Sequence, residues 1–113
     1  MLKIVEKDTK KLAILTLTGD PLGQVDAELI KEKAREVVKS GIQHLLFDLS
    51  GVKHINSAGI GALMAALFTM TRAGGTIQFT GIGPHVDKIF TMTRLNKIFD
   101  ILPSVDDAIH KWA

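Results

Sequence analysis

Hydrophobic and polar residues alternate in two segments near the start of the chain, residues 2–6 and 12–17. This period of two is typical of β-strands. The polar segment between them, residues 7–10, is short enough for a hairpin, so the first two strands are predicted to be antiparallel. Apolar residues about one turn apart then follow across residues 26–40, which predicts an amphipathic helix that ends at Gly41.

The middle of the chain continues with strand, helix and strand. Residues 44–49 form an apolar run typical of a buried central strand, and residues 76–80 alternate as a further strand. Between them, a long helix is predicted to begin at Ser57 and to end at Gly74 and Gly75. Its core stripe is predicted to consist of Ile60, Leu63, Met64, Leu67 and Phe68.

Three further elements follow. Pro84 suits the first position of a helix, where its missing amide costs nothing. Residues 98–101 are predicted to form a short strand, and Ser104 to cap a last helix that ends at Trp112.

Strand–helix–strand order occurs twice, which predicts parallel neighbours with right-handed crossovers. The predicted fold class is α/β, a mixed sheet of four to five strands with an antiparallel first pair, parallel crossovers and about four helices, in one domain spanning residues 1–113.

Composition narrows the classes of function. The 14 basic and 12 acidic residues are mixed along the chain, so no basic stripe favours nucleic acid as a partner. The longest uncharged segment, residues 55–71, is shorter than the roughly 20 apolar residues that a membrane span needs. Charged residues near the N-terminus argue against an export signal, and the absence of cysteine fits a reducing cytosol. We therefore expect a cytoplasmic chain with no membrane partner.

No constellation of residues supports catalysis. The four histidines lack the one-turn spacing that would pair two of them at a metal. Gly81 and Gly83 lie between a strand and a helix, but Val86 stands where a dinucleotide-binding loop has its third glycine. We expect a non-enzymatic chain that binds neither a metal nor a cofactor.

Residues 56–61 are the most informative segment. A hydroxyl at a helix start, that of Ser57, is bordered by small residues that let a bulky partner come close. Serine is also among the best N-cap residues, so Ser57 could simply cap the start of the helix. Both interpretations stay open on the residues alone.

Three motifs resemble the STAS domain family, specifically the bacterial anti-sigma factor antagonists. Residues 48–52 read Asp-Leu-Ser-Gly-Val, residues 56–61 read Asn-Ser-Ala-Gly-Ile-Gly, and residues 17–20 read Leu-Thr-Gly-Asp. The resemblance implies that Ser57 is phosphorylated by an anti-sigma factor that is also a serine kinase, and dephosphorylated by a phosphatase. The unphosphorylated antagonist would bind the anti-sigma factor and free the sigma factor. ATP and magnesium would belong to the kinase.

The chain departs from this family pattern at three places. Asn56 replaces an acid, Ala58 replaces a second hydroxyl, and Gly23 lies near the place of another common acid. These departures favour an alternative, in which the STAS domain is a scaffold or ligand-binding module that is not phosphorylated.

A partner surface is predicted where three loops lead from strands into helices, because parallel units bring these loops to one end of the sheet. Its residues are predicted to be Asp20, Leu22, Gly23, Gln24, Asn56, Ser57, Ala58, Gly59, Gly83 and Pro84. A Gly59→Arg change is predicted to weaken partner binding without unfolding the domain.

Overall fold

The computed structural model describes residues 3–19 and 24–112, with side chains in the second range described from residue 26. The strands are β1 (Lys3–Asp8), β2 (Leu12–Thr18), β3 (His44–Gly51), β4 (Thr76–Thr80) and β5 (Asp100–Ile101). The helices are α1 (Gln24–Lys39), α2 (Ser57–Arg72), α3 (Pro84–Met92) and α4 (Val105–Trp112), with a single 3₁₀ turn at Leu95–Lys97. None of the helices in these ranges has both the length and the hydrophobicity needed to span a bilayer.

The five strands form one mixed sheet in the order β1-β2-β3-β4-β5. β1 runs antiparallel to β2, with Ile4 opposite Leu17, and the other neighbours are parallel. The strand order advances in one direction, so right-handed crossovers place α1 and α2 on the same face of the sheet. The predicted fold class is confirmed.

Helices cover both faces of the sheet. On the first face, α1, α2 and α3 pack over fully buried Leu15, Phe47 and Phe79. The rings of Phe47 and Phe79 stack with centroids 5.5 Å apart. On the second face, α4 packs Ala108 against a smaller cluster, Leu12, Ile14 and Leu46. Each large side chain buried in this way contributes about 1.5–3 kcal/mol to the stability of the fold. Because the helices pack on the central strands through these side chains, the strands fix the positions of the helix starts.

The predicted core stripe of α2 is wrong at Phe68. This side chain is 54% exposed, Leu67 is half-buried, and Met70 is buried instead. The reason is that α2 packs against both the sheet and α1, so it buries Ala62 and Ala66, whose small side chains allow a close approach.

Element boundaries also differ from the predictions. α1 begins at Gln24 instead of residue 26, and the strand expected over residues 98–101 is reduced to Asp100–Ile101. α3 ends at Met92, and Leu95 is buried in the 3₁₀ turn that follows. Ser104 does cap α4, accepting a hydrogen bond from the Asp107 amide at 3.2 Å.

Candidate protein-interaction site

The starts of α1, α2 and α3 lie at one end of the sheet, the end where β2, β3 and β4 finish. Two contacts tie their loops together. The Gly19 amide donates to the Gly51 carbonyl at 3.3 Å. The rings of His54 and His85 meet edge to face, with centroids 4.8 Å apart, which joins the loop before α2 to the first turn of α3.

The predicted site residues are distributed among these helix starts. Asp20, Leu22 and Gly23 lie outside the described residues, and Gln24 is described only as the first residue of α1. Asn56, Ser57, Ala58 and Gly59 form the start of α2. Gly83 is the N-cap of α3 and Pro84 its first residue, as predicted.

The Asp-Leu-Ser-Gly motif at the end of β3 forms the frame of this end. Asp48 accepts a hydrogen bond from the Ser50 amide at 3.0 Å, within the last residues of β3. A Cβ atom on Gly51 would lie 2.8 Å from the Leu17 carbonyl oxygen, so only glycine allows β2 to approach this closely. The motif therefore has a structural role in this chain.

Asn56, and not Ser57, caps α2. The Asn56 Oδ1 atom accepts a hydrogen bond from the Gly59 amide at 3.0 Å, and the Asn56 carbonyl accepts one from the Ile60 amide at 3.0 Å. Ser57 is the first helical residue and is exposed. Its hydroxyl is therefore accessible, and the capping function that serine could have supplied belongs to its neighbour.

This cap changes which backbone amides an anion on Ser57 could meet. The amides of Gly59 and Ile60 are already hydrogen-bonded to Asn56. In an α-helix the amides of the first positions have no carbonyl one turn earlier, so those of Ser57 and Ala58 are the suitable donors. The first turn of α2 contains no acidic residue, so the positive end of the helix dipole faces no carboxylate of that turn.

The Gly59→Arg expectation is wrong. Gly59 is buried, so an arginine there would disturb packing as well as any partner contact. Gly61 is the better position, because it is exposed and a Cβ atom there would meet nothing within 4 Å.

Sequence reasoning missed the contribution of α1 to this end. A groove of about 520 Å³ runs between α1 and α2. Its lining consists of Ala27, Glu28, Lys31, Ala58, Gly61, Ala62 and Ala65. We call it the α1–α2 groove. The signal in the sequence was the run of small residues on α2, but their partners on α1 follow only from the packing of the two helices.

The chemistry of this end is that of a binding surface with accessible polar groups. Within residues 3–19 and 24–112, His, Asp and Glu side chains form no group of three suited to a metal ion. The helix starts offer an exposed hydroxyl, a helix N-terminus whose first turn has no acidic residue, and a groove lined mostly by small residues.

The sequence model of the STAS domain family matches residues 3–108. The chain belongs to the STAS domain family. A Thermotoga neapolitana protein, named as a candidate anti-sigma factor antagonist, is 24% identical over 110 residues, which cover 96% of this chain and 93% of that protein.

Solved STAS structures share the fold. A candidate anti-sigma factor antagonist from Thermotoga maritima matches with a TM-score of 0.85 and 21% identity, covering 96% of this chain and 92% of that one. The anti-sigma factor antagonist SpoIIAA matches in its unphosphorylated form with a TM-score of 0.81 and 17% identity, covering 98% and 95% of the two chains. Its phosphorylated form, from Bacillus, matches with a TM-score of 0.74 and 17% identity, covering 98% of each chain.

Proposed function

We propose that this STAS domain is an anti-sigma factor antagonist switched by phosphorylation of Ser57. Unphosphorylated, it binds an anti-sigma factor that is also a serine kinase and so frees the sigma factor. The kinase, which supplies ATP and magnesium, phosphorylates Ser57, and a phosphatase resets the switch. The chain itself is a non-enzymatic binding module of the cytoplasm. Family membership and the names of its relatives support the general role.

One observation carries the proposal: the side chain of Asn56, and not that of Ser57, caps α2. Because the Asn56 side chain caps α2, the exposed Ser57 hydroxyl has no capping function that phosphorylation would abolish. A phosphate there would lie at the positive end of a 16-residue helix, near amides that the helix leaves without partners. Phosphorylation is therefore expected to leave the fold intact.

The effect of the phosphate falls on the interface. Ala58 and Gly61 leave room for a partner's backbone beside Ser57, and the α1–α2 groove continues that surface away from the helix start. A partner that fits a neutral hydroxyl would have to desolvate roughly two negative charges after phosphorylation. At about 1.4 kcal/mol per decade, a mismatch of several kcal/mol weakens binding by about a hundredfold or more.

The test is a titration of the cognate anti-sigma factor with wild type, Ser57→Ala and Ser57→Asp, with circular dichroism melts of each. We expect wild type and Ser57→Ala to bind alike, Ser57→Asp to bind weakly, and all three to melt alike. Intact mass after incubation with the kinase and ATP should show one phosphate on wild type and none on Ser57→Ala. Equal binding by all three folded proteins would refute the switch.

The alternative, a STAS scaffold or ligand-binding module that is not phosphorylated, is favoured by one feature. The residue before Ser57 is an amide that caps the helix, where the family has a carboxylate. Asn56→Asp separates the two functions, because aspartate caps a helix as well as asparagine does and adds the charge. Phosphate uptake by wild type supports the switch, whereas uptake by Asn56→Asp alone supports the alternative.

A further inference from the structure

A second opening lies at the opposite end of the sheet, where β2, β3 and β4 begin. β3 has eight residues, which places this end roughly 20 Å from the start of α2. The opening is a cavity of about 350 Å³, which we call the amino-end cavity. Its lining consists of Lys10, Lys11, Gly41, Gln43, His44, Lys111 and Trp112.

The amino-end cavity is lined by three lysines and by no carboxylate. Lys10 and Lys11 come from the turn between β1 and β2, and Lys111 comes from the last turn of α4. In the part of the chain that the structure describes, the ion pairs involve Lys31 and Lys33 and none of these three. Three lysines from distant parts of the sequence thus line one cavity, and none of the three is ion-paired with a carboxylate of the described residues.

The floor of the amino-end cavity is held in place by ring contacts and hydrogen bonds. The His44 and Trp112 rings stack with centroids 4.6 Å apart, and Lys111 Nζ lies 4.7 Å from the Trp112 ring centroid. His44 Nδ1 is hydrogen-bonded to Thr76 Oγ1 at 2.7 Å, and its amide donates to the Lys11 carbonyl at 3.2 Å. These contacts orient the lining before any ligand arrives, which reduces the entropic cost of binding.

We propose that the amino-end cavity binds a compact polyanion bearing phosphate or carboxylate groups. A volume of about 350 Å³ is at the lower end of the range for small-molecule sites. Burial together with the charges of Lys11 and Lys111 lowers the pKa of His44, so the cations act on the imidazole at this site. A bound anion would neutralise that repulsion and raise the pKa of His44.

The dipole of α4 explains the position of only one of the three lysines. Lys111 lies in the last turn of α4, where a cation is favoured by the helix dipole whether or not a ligand binds. Lys10 and Lys11 precede a strand and have no such reason to face the amino-end cavity. The inference does not depend on phosphorylation of Ser57, because the two ends share no lining residue.

The chain has a single tryptophan, so the intrinsic fluorescence of Trp112 reports on this cavity. We would titrate the protein with pyrophosphate and with citrate, and compare each with potassium chloride at matched ionic strength. The expected result is a saturable change with one or both polyanions and none with chloride. Which anion binds more tightly distinguishes a phosphate from a carboxylate ligand. A change equal to that with chloride would overturn the proposal and indicate screening only.

Matched lysine variants complete the test. Lys11→Gln and Lys111→Gln should each weaken polyanion binding about tenfold or more, because each removes a charged hydrogen-bond donor. Lys88→Gln, on α3 and outside the amino-end cavity, should bind as wild type does. Lys11→Arg should keep binding, and proton NMR of His44 should show its pKa rising with the anion. Equal weakening by Lys88→Gln, or an unchanged His44 titration, would refute a site here.

Discussion

The two ends of this mixed sheet have different surfaces. At the end where α2 begins, the small residues Ala58 and Gly61 line the α1–α2 groove together with Glu28 and Lys31, and the helices present their N-termini. At the other end, α1 and α4 finish, and long cationic side chains surround the rings of His44 and Trp112. One end is suited to the close approach of a protein, and the other to a small anion.

This difference shows how one fold can separate two kinds of recognition. Access of a partner to the first end depends on the small size of its residues, so partner binding there is sensitive to added bulk and added charge. At the second end, recognition depends on charges that converge from two elements, so it is sensitive to their removal and to salt.

The largest effect is expected at Gly81, which frames the first end. Its φ of +71° is a conformation that favours glycine, and a Cβ atom would lie 2.6 Å from Asp48 Oδ1. Gly81→Ala should therefore destabilise the fold by about 2–4 kcal/mol, from backbone strain and overpacking together. Gly83→Ala is the matched control, since a Cβ there meets nothing within 4 Å. Urea unfolding of both variants measures the difference, and equal stability would contradict this account of the frame.

Much of the fold was predictable from the sequence, because the residues that start and end its helices act locally. Pro84 opens α3 and Ser104 caps α4, as their residue types indicate. Gly41 and Gly74 end their helices with positive φ for the same kind of reason. Element order then followed from the alternation of strand and helix patterns.

What the sequence could not resolve depends on packing between elements. α2 is apolar on most of its surface, so its pattern did not reveal that Phe68 faces outward and Met70 inward. Asparagine and serine are similarly good caps, so propensity alone could not choose Asn56 over Ser57. The amino-end cavity combines residues from the turn at 10–11 and the helix end at 111–112, which no local motif reveals.

The cap of α2 gives the next largest effect. Asn56→Ala should lower the free energy of unfolding by about 1 kcal/mol, because the Gly59 amide loses its acceptor. Ser57→Ala should leave stability within about 0.5 kcal/mol of wild type, since an exposed surface position seldom contributes more. Chemical denaturation of the pair decides whether the cap is Asn56 or Ser57. A larger loss from Ser57→Ala would remove the observation that carries the proposed switch.

Gly61 separates stability from binding. A glycine inside a helix costs about 0.5–1 kcal/mol relative to alanine, and here the extra methyl group would meet no atom within 4 Å. Gly61→Ala should therefore stabilise the domain by about that amount, seen as a higher melting temperature. If a partner backbone uses this space, the same variant should bind the anti-sigma factor more weakly than wild type, and Gly61→Arg more weakly still. Unchanged binding by Gly61→Arg would place the interface away from the α1–α2 groove.

The smallest effect is expected at Asp8, the last residue of β1. Burial and the neighbouring carboxyl of Glu6 raise the pKa of Asp8 to about 6. The hydrogen bond with Asp8, together with the ion pair to Lys33 at 3.2 Å, lowers the pKa of Glu6 below its usual value. Below about pH 6 the proton of the pair therefore resides on Asp8, and Lys33 stabilises the carboxylate of Glu6.

The sign of the pH dependence follows from the raised pKa. A carboxyl that holds its proton more tightly when folded stabilises the fold below its unfolded pKa of about 3.9, and that stability is lost as the pH rises through about 6. Asp8→Asn has no such proton to lose. Its melting temperature relative to wild type should therefore increase between pH 4 and pH 7, by less than the equivalent of about 1 kcal/mol because the site is largely solvent-exposed.

Lys7→Gln is the matched control for Asp8→Asn, because it changes an exposed charge one residue away on β1. Melts of wild type and both variants at pH 4, 5, 6 and 7 should show the trend for Asp8→Asn alone. A trend of the opposite sign would mean that Asp8 is stabilised as a carboxylate in the folded protein.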